Sequence, residues 1–339
     1  MVYKLFAITL LITALCAPAR ADAPSPHEAD SRAAVILSYH HIGGEHDNAI
    51  SQEQFSNHMS VLRSAHYNPQ SLGTLVKALS NNQKQPLHSI NLTFDVMNIA
   101  VFNALIQNNV PFTVFIAPRN LTKPQRKWIT KNHKNNLITF GLTTAFQTPH
   151  DLETSRRDLH SAITGFREIT GEQPRYFSYK AGLYTEAIKS LIIANGFDAA
   201  FGQHSGLTYG GNDMHALPRF TMTAQHGGLD RFEMIINALP LPSSGKTPNT
   251  SIINTATPSI GMTLPEELEN AENIDCFVSG QDKPRMRFPS EERLEIRLNT
   301  ALQPYQRTRI NCITQAGKDE ITGKMRWRWG GFLLEYRPH

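Results

Sequence analysis

Apolar residues occur in short continuous runs that alternate with segments of helical spacing over most of the chain. Val35-Ile-Leu-Ser-Tyr39 is one such run, and its polar surroundings are typical of a buried strand. The three- and four-residue spacing of an amphipathic helix follows at Leu72, Leu75, Val76 and Leu79. The pattern therefore predicts a strand followed by a helix at the start of the chain.

The same alternation continues towards residue 240. Further strands are predicted at residues 90–94, 112–116, 137–140, 176–179 and 199–201. Strands that alternate with helices indicate βαβ units and parallel pairing. We therefore predict a barrel-like α/β domain over residues 32–240, with chemistry expected at the C-terminal ends of its strands.

The pattern changes after residue 240. Prolines and small polar residues cluster without periodicity at residues 241–250, which predicts a linker. Between residues 251 and 339, short strand candidates are separated by turn residues, among them Leu294-Glu-Ile-Arg-Leu298 and Phe332-Leu-Leu-Glu-Tyr336. Such spacing predicts a small all-β, sandwich-like domain.

The N-terminus has the order of a secretory signal peptide. Lys4 precedes an apolar stretch, and Ala19-Arg20-Ala21 offers small residues for cleavage after residue 21. Cys16 is a weak lipidation site, because Leu15 stands where a small residue should precede it. The apolar stretch is also short for a membrane span. We expect residues 1–21 to be removed and the protein to be exported, to the periplasm or outside the cell.

Charge and cysteine content narrow the function classes. Loss of Lys4 and Arg20 leaves 31 basic residues against 29 acidic ones, and a formal charge of +2 gives no electrostatic basis for binding nucleic acid. Two cysteines then remain, Cys276 and Cys312. In an exported protein they most simply form one disulfide; two separate buried thiols are the alternative.

Six segments between residues 34 and 240 carry a resemblance to a known family. They are Ser38-Tyr-His-His-Ile42, Leu92-Thr-Phe-Asp-Val-Met97, Val110-Pro-Phe-Thr-Val-Phe-Ile116, Ile138-Thr-Phe-Gly-Leu-Thr-Thr-Ala-Phe-Gln147, Phe177-Ser-Tyr-Lys-Ala-Gly-Leu-Tyr184 and Leu217-Pro-Arg-Phe220. In this order they resemble the motifs of polysaccharide deacetylases of the NodB-homology type, especially the exported branch that acts on amino-sugar polymers. The resemblance implies a distorted (β/α) barrel of that type, here followed by the sandwich-like domain.

The resemblance also implies a chemistry that this sequence has largely lost. The family is thought to hold zinc or another divalent metal with the second Asp of a TFDDG motif and two histidines of HxxxH, and to use the first Asp as base. The base position is Asp95, but the ligand positions are Val96, Thr143 and Gln147. Valine has no donor atom, and hydroxyl and amide oxygens are poor zinc ligands. If the alignment with HxxxH were shifted by three residues, His150 would take the second position but Phe146 the first, so no HxxxH pair results. We therefore expect no metal cofactor.

Other candidate site residues follow from the same placement. Asp95 is the candidate catalytic residue; it could instead bind sugar hydroxyls in a groove or cap the next helix. We predict substrate-binding roles for His40, Tyr179, His204 and Arg219, which lie at strand ends or in the loops that follow. For Arg219 the alternative is an internal ion pair, and for His40 it is an ordinary loop hydrogen bond.

Three functions remain open from the sequence. The first is a pseudo-deacetylase of the cell envelope that binds a polysaccharide containing N-acetyl amino sugars without hydrolysing it. The second is an active carbohydrate de-N-acetylase, a hydrolase of non-peptide carbon–nitrogen bonds, with a site rebuilt from Asp95 and histidines such as His40 or His204. The third is a periplasmic scaffold that binds a protein partner through the C-terminal domain.

Overall fold

The computed structural model describes residues 23–144 and 152–338. The strands of the first part are β1 (Val35–Tyr39), β2 (His41–Ile42), β3 (Ala49–Ile50), β4 (Asn68–Pro69), β5 (Ser89–Phe94), β6 (Phe112–Ile116), β7 (Ile138–Thr143), β8 (Tyr176–Ser178), β9 (Ala199–Phe201) and β10 (Phe220–Met222). The helices are α1 (Pro26–Ser31), α2 (Gln52–Leu62), α3 (Leu72–Ser80), α4 (Ile99–Gln107), α5 (Lys123–Asn132), α6 (Leu152–Thr170), α7 (Glu186–Ala194) and α8 (Leu229–Ile236). No helix of these residues is long and apolar enough to cross a membrane.

The main sheet of the first part is parallel and has the order β10-β1-β5-β6-β7-β8-β9, with β4 beside the start of β5. Phe201 at the end of β9 forms a parallel bridge with Leu217, just before β10. The sheet therefore curves into a barrel in which β9, at one edge, meets the segment just before β10, at the other edge. Strands β1, β5 and β6 are buried at every position, as expected of strands covered on both faces. This confirms the predicted α/β, barrel-type fold class.

The loop after β5 is fixed by its own hydrogen bonds. The backbone N–H of Asp95 donates to the Tyr39 carbonyl at 3.0 Å, which extends the pairing of β5 with β1 by one residue. Helix α4 then begins after Asn98, whose side chain accepts a hydrogen bond from the N–H of Val101. Asn98, not Asp95, is thus the N-cap of α4, so the helix-cap interpretation of Asp95 is wrong. The Asp95 carboxylate is left to act at the end of its strand.

The second part contains β11 (Leu239–Pro240), β12 (Ser244–Thr247), β13 (Ile252–Ile253), β14 (Ile260–Thr263), β15 (Asp275–Val278), β16 (Arg285–Arg287), β17 (Arg293–Arg297), β18 (Arg307–Lys318) and β19 (Met325–Tyr336). One sheet has the order β11-β19-β18-β15 with β13 also on β19, and the other the order β12-β14-β17-β16. Apolar residues of both sheets share one core, for example Met262 and Leu294 of one and Ile310 and Leu334 of the other. These C-terminal sheets confirm the predicted sandwich-like domain.

Two features of this part bear on the sequence predictions. Cys276 and Cys312 lie opposite each other on β15 and β18 and form a disulfide. Residues 244–247, predicted as part of a linker, instead form β12, which pairs with β14. Because the pairing is irregular between Ser244 and Thr247 and Gly245 has a φ of 53°, this strand needs residues that are typical of turns, and the sequence pattern hides it.

The two parts pack against each other through side chains from both. Trp329 of β19 contacts Phe220 of β10 edge-on, with ring centroids 5.2 Å apart, and it joins the core of the barrel. A buried polar contact links His88, just before β5, with Asp319, just after β18; Nε2 and Oδ2 are 3.2 Å apart, and burial lowers the pKa of the His88 imidazole. The C-terminal domain therefore closes one side of the barrel.

Candidate functional site

Asp95 directly follows the C-terminal end of β5, where four side chains from other strands or the residues next to them converge on it. The two terminal guanidinium nitrogens of Arg219, Nη1 and Nη2, donate to its two carboxylate oxygens at 3.0 and 3.2 Å. The hydroxyl of Ser38 donates to Oδ2 at 3.1 Å and that of Ser178 to Oδ1 at 2.9 Å. Nε2 of His40 lies 3.5 Å from Oδ2. Each carboxylate oxygen thus already accepts hydrogen bonds from within the barrel.

Arg219 is the residue that fixes this arrangement. Its side chain is 0% exposed, and besides Asp95 it donates to the Gly202 carbonyl, Thr93 Oγ1 and Ser178 Oγ at 2.9, 3.2 and 2.7 Å. A buried guanidinium requires such compensation, because removing a charge from water is costly. The interpretation of Arg219 as an internal ion-pair residue therefore describes its geometry, and its five N–H donors are all engaged within the protein.

The electrostatics of the pair keep Asp95 ionised. Burial alone raises the pKa of Asp95, but the Arg219 charge, the neighbouring His40 and hydrogen bonds from Arg219 and Ser178 outweigh it, so the pKa lies below its usual value. Burial lowers the pKa of the His40 imidazole, as do Arg219 and Arg307, against the opposing effect of Asp95. A carboxylate with a lowered pKa and occupied oxygens is a poor general base at neutral pH.

A cavity of about 220 Å³ opens beside Asp95 at this end of the barrel. Its wall includes His40, Asn120, Thr143, Thr144, Lys180 and Gln203. The Thr144 hydroxyl is buried and has no hydrogen-bond partner among the described residues. Amide, hydroxyl and ammonium groups around a small cavity are suited to the hydroxyl and amide groups of a sugar. This cavity and the residues that line it are called the barrel cavity below.

The positions that carry metal ligands in deacetylases do not fit a metal here. Val96 has no donor atom, and the Thr143 hydroxyl already donates to the Ser178 carbonyl at 2.9 Å. Asp95 is neutralised by Arg219, while Gln147 and His150 lie outside the described residues. Within residues 23–144 and 152–338, no three His, Cys, Asp or Glu side chains are grouped so that they could hold a metal ion.

The other predicted binding residues are divided between different surroundings. Tyr179 contributes to the wall of the barrel cavity, but it is 2% exposed, its ring stacks on Tyr184 at 4.7 Å, and its hydroxyl donates to the His215 carbonyl at 2.9 Å. Tyr209 is buried likewise, and its hydroxyl donates to the Ser243 carbonyl at 3.3 Å. Both tyrosines therefore belong to the core.

His204 lies apart from Asp95. It lines another cavity, of about 330 Å³, together with Tyr184, Lys246 and Phe332. Burial, with Lys246, Arg309 and Arg219 nearby, lowers the pKa of His204 to about 3, so the imidazole is neutral. The structure brings His40 to Asp95 but not His204, so the metal triad considered from the sequence is not assembled.

Sequence reasoning missed Ser38, Ser178 and Gln203 as parts of the site. The hydroxyls of Ser38 and Ser178 both donate to the Asp95 carboxylate, and the side-chain nitrogens of Gln203 and His40 are 3.3 Å apart. Their position in the sequence could have indicated them, because Ser38 and Ser178 each lie near the C-terminal end of a predicted strand, where site residues are expected. Their pairing with Asp95 required knowledge of which strands are neighbours.

No protein-family model and no curated protein matches this chain. Among solved structures, it is similar to IcaB from Ammonifex degensii, with a TM-score of 0.55, 19% identity, and coverage of 61% of this chain and 97% of that one. It is also similar to the deacetylase PplD from Streptococcus pyogenes, solved with acetate, with a TM-score of 0.54, 14% identity, and coverage of 60% and 98%. A de-N-acetylase from Aggregatibacter actinomycetemcomitans gives a TM-score of 0.51, 12% identity, and coverage of 60% and 99%. The α/β domain thus has the fold of the polysaccharide deacetylases, and at these identities the likeness concerns the fold alone.

Proposed function

We propose that this protein is a pseudo-deacetylase of the cell envelope, which binds a polysaccharide containing N-acetyl amino sugars without metal-dependent hydrolysis. The observation that carries the proposal is the state of Asp95. Its oxygens are engaged by Arg219, Ser38 and Ser178, while the cavity beside it keeps polar side chains at its wall. A site built in this way can hold a sugar by hydrogen bonds but offers no free base.

The chemistry of amide hydrolysis supports the same conclusion. A metal would supply the nucleophilic hydroxide and would polarise the acetyl carbonyl. With Val96 and a hydrogen-bonded Thr143 at two ligand positions, the residues present cannot hold it in the manner of the family. The remaining groups of the barrel cavity, such as Asn120, Lys180 and Gln203, can donate to sugar hydroxyls and to an acetyl oxygen.

We further propose that the protein acts outside the cytoplasm. The disulfide between Cys276 and Cys312 is typical of oxidising compartments, and the predicted signal peptide is consistent with it. The deacetylases of similar fold suggest the ligand class, an N-acetylated glycan.

The experiment is calorimetric titration of the mature chain with a pentasaccharide of N-acetylglucosamine and with its fully de-N-acetylated form. We expect the acetylated form to bind more tightly. Asn120→Ala should weaken it about three- to tenfold, as expected for the loss of one hydrogen bond.

Asn136→Ala is the matched control, since Asn136 is exposed and precedes β7 at the opposite end of the barrel. It should leave the affinity unchanged. Equal affinity for the two sugars, or equal effects of the two Asn substitutions, would show that the barrel cavity does not recognise the acetylated glycan.

A further inference from the structure

A second cavity, of about 440 Å³, adjoins the barrel cavity and is lined by both domains. His40 and Gln203 contribute to the walls of both cavities, so the two are neighbours. Its volume is in the usual range for a small-molecule site. We call it the junction cavity, since its wall combines Arg231 of α8 with residues of β18 and β19.

Three arginines line the junction cavity: Arg231, Arg307 and Arg309. None of them is within 4.0 Å of a carboxylate among the residues that the structure describes. Asp47 is the one acidic residue in the described wall of the cavity. The cavity therefore holds an excess of positive charge.

The arginines are held in place by neutral groups. Arg231 donates to the His226 carbonyl and lies over the Trp329 ring, 5.7 Å from its centroid. Arg309 donates to the Gln203 carbonyl, and Arg307 donates to the Ala181 carbonyl at 3.3 Å. Carbonyl oxygens orient a guanidinium but do not neutralise it, and each guanidinium has five N–H donors, so donors remain for a ligand.

Burial and mutual repulsion both act against the charged form of these arginines when no anion is bound. Burial lowers the pKa of Arg309 to about 10, with further lowering by Arg307 and Arg231. Burial also lowers the pKa of Arg231 to about 10. Two partly buried guanidiniums with a third, exposed one beside them are expected where an anion binds.

Other groups of the wall suit a sugar that carries such an anion. The Thr221 hydroxyl is buried and has no hydrogen-bond partner among the described residues. Phe277 is 48% exposed at the rim, and Trp329 forms part of the wall. Aromatic rings provide an apolar surface for the carbon face of a sugar ring, while the hydroxyl and the guanidiniums bind its polar groups.

We propose that the junction cavity is an anion subsite, in which Arg231, Arg307 and Arg309 bind the carboxylate or phosphate of an acidic sugar. The inference rests on the proposed function, because the acidic sugar is placed in the same glycan as the N-acetyl sugar of the barrel cavity. The shared wall of His40 and Gln203 allows adjacent sugars of one chain to occupy the two cavities. The substrate class is then an acidic polysaccharide rather than a neutral one.

The test uses two pairs of probes. A hexasaccharide of hyaluronan, which alternates N-acetylglucosamine with glucuronate, is compared with its carboxyl-reduced, neutral form. N-acetylglucosamine 6-phosphate is compared with N-acetylglucosamine. We expect at least one anionic probe to bind about tenfold more tightly than its neutral partner, and the pair that shows this distinguishes carboxylate from phosphate.

Arg307→Gln and Arg309→Gln should each remove most of this preference for the anionic probe. For the half-buried Arg309, the affinity for that probe should fall about tenfold. Arg307 is exposed, so its substitution is safe for folding. Arg287→Gln makes the same charge change at an exposed position of β16 and should have no effect. The preference should also weaken as salt is added.

Equal binding within both pairs, or equal effects of Arg307→Gln and Arg287→Gln, would overturn the inference. The two proposals fail separately. If Asn120→Ala weakens every probe while the anion makes no difference, the barrel cavity binds the glycan and the anion subsite is wrong. If the anion effect depends on Arg307 but de-N-acetylation and Asn120→Ala change nothing, the subsite stands and the proposed function is wrong.

Discussion

The Asp95–Arg219 pair makes the strongest prediction about the barrel, because Arg219 is fully buried and Asp95 is its counter-charge. Asp95→Asn keeps the size of the side chain but removes the charge and one acceptor. Breaking a buried pair from one side costs about 3–5 kcal/mol in free energy of unfolding. Since Arg219 keeps its bonds to the Gly202 carbonyl and Thr93, we expect the lower end, about 3 kcal/mol.

The second half of the prediction is a double-mutant cycle. Arg219→Met leaves Asp95 buried with only serine and histidine partners, and we expect it to cost about as much. Asp95→Asn combined with Arg219→Met leaves no uncompensated charge, so it should cost less than the sum of the two single changes, by about 2 kcal/mol or more.

The assay is unfolding in guanidinium chloride at pH 7, followed by circular dichroism. Asp158→Asn is the control, since it breaks an exposed pair with Arg119 at 3.3 Å and should cost less than about 1 kcal/mol. If Asp95→Asn costs no more than Asp158→Asn, or if the two changes at the buried pair are simply additive, Asp95 is not the counter-charge that stabilises Arg219.

Three further predictions follow from the ion pairs and the disulfide. The pKa of Asp95 is lower in the folded than in the unfolded chain, so ionised Asp95 stabilises the fold fully above about pH 4. This contribution is lost as the pH falls through the pKa of Asp95 in the folded chain. The free energy of unfolding should therefore fall less steeply with decreasing pH in Asp95→Asn than in the wild type. Replacing Cys276 and Cys312 together by Ser should lower the free energy of unfolding by about 3–4 kcal/mol, since the disulfide closes a separation of 36 residues; melting with and without reductant measures it. Asp319→Ala removes the shared acceptor of buried His88, Arg326 and Thr322 and should cost about 2–4 kcal/mol in chemical unfolding, whereas no loss would show that this cluster does not stabilise the contact between the domains.

The parallel sheet could be predicted well, because a strand buried on both faces is a continuous apolar run in the sequence. The strand predicted at residues 90–94 is observed at Ser89–Phe94, and the one at 112–116 has the predicted bounds. The same signal placed Asp95 correctly at the end of a strand. The irregular strand Ser244–Thr247 was missed, because its bulge needs residues that are typical of turns.

The site itself could be predicted only in part, because its contacts join residues far apart in the chain. Ser178 is 83 positions from Asp95, and Arg219 is 124 positions from it, so their meeting depends on the order of the strands in the sheet. Tyr179 follows a strand end, as expected, but its ring turns inward to stack on Tyr184. Whether a strand-end side chain faces the cavity or the core is decided by packing, which periodicity does not reveal.

The most direct test of the central claim is acetate release from the N-acetylglucosamine pentasaccharide by the mature chain, measured with excess zinc and again after its removal, alongside the zinc content of the protein. We expect binding of the sugar, no acetate above the background of Asp95→Ala, and no zinc retained in stoichiometric amount. Acetate released only with metal and abolished by Asp95→Ala would contradict it and would show that the protein is a working deacetylase.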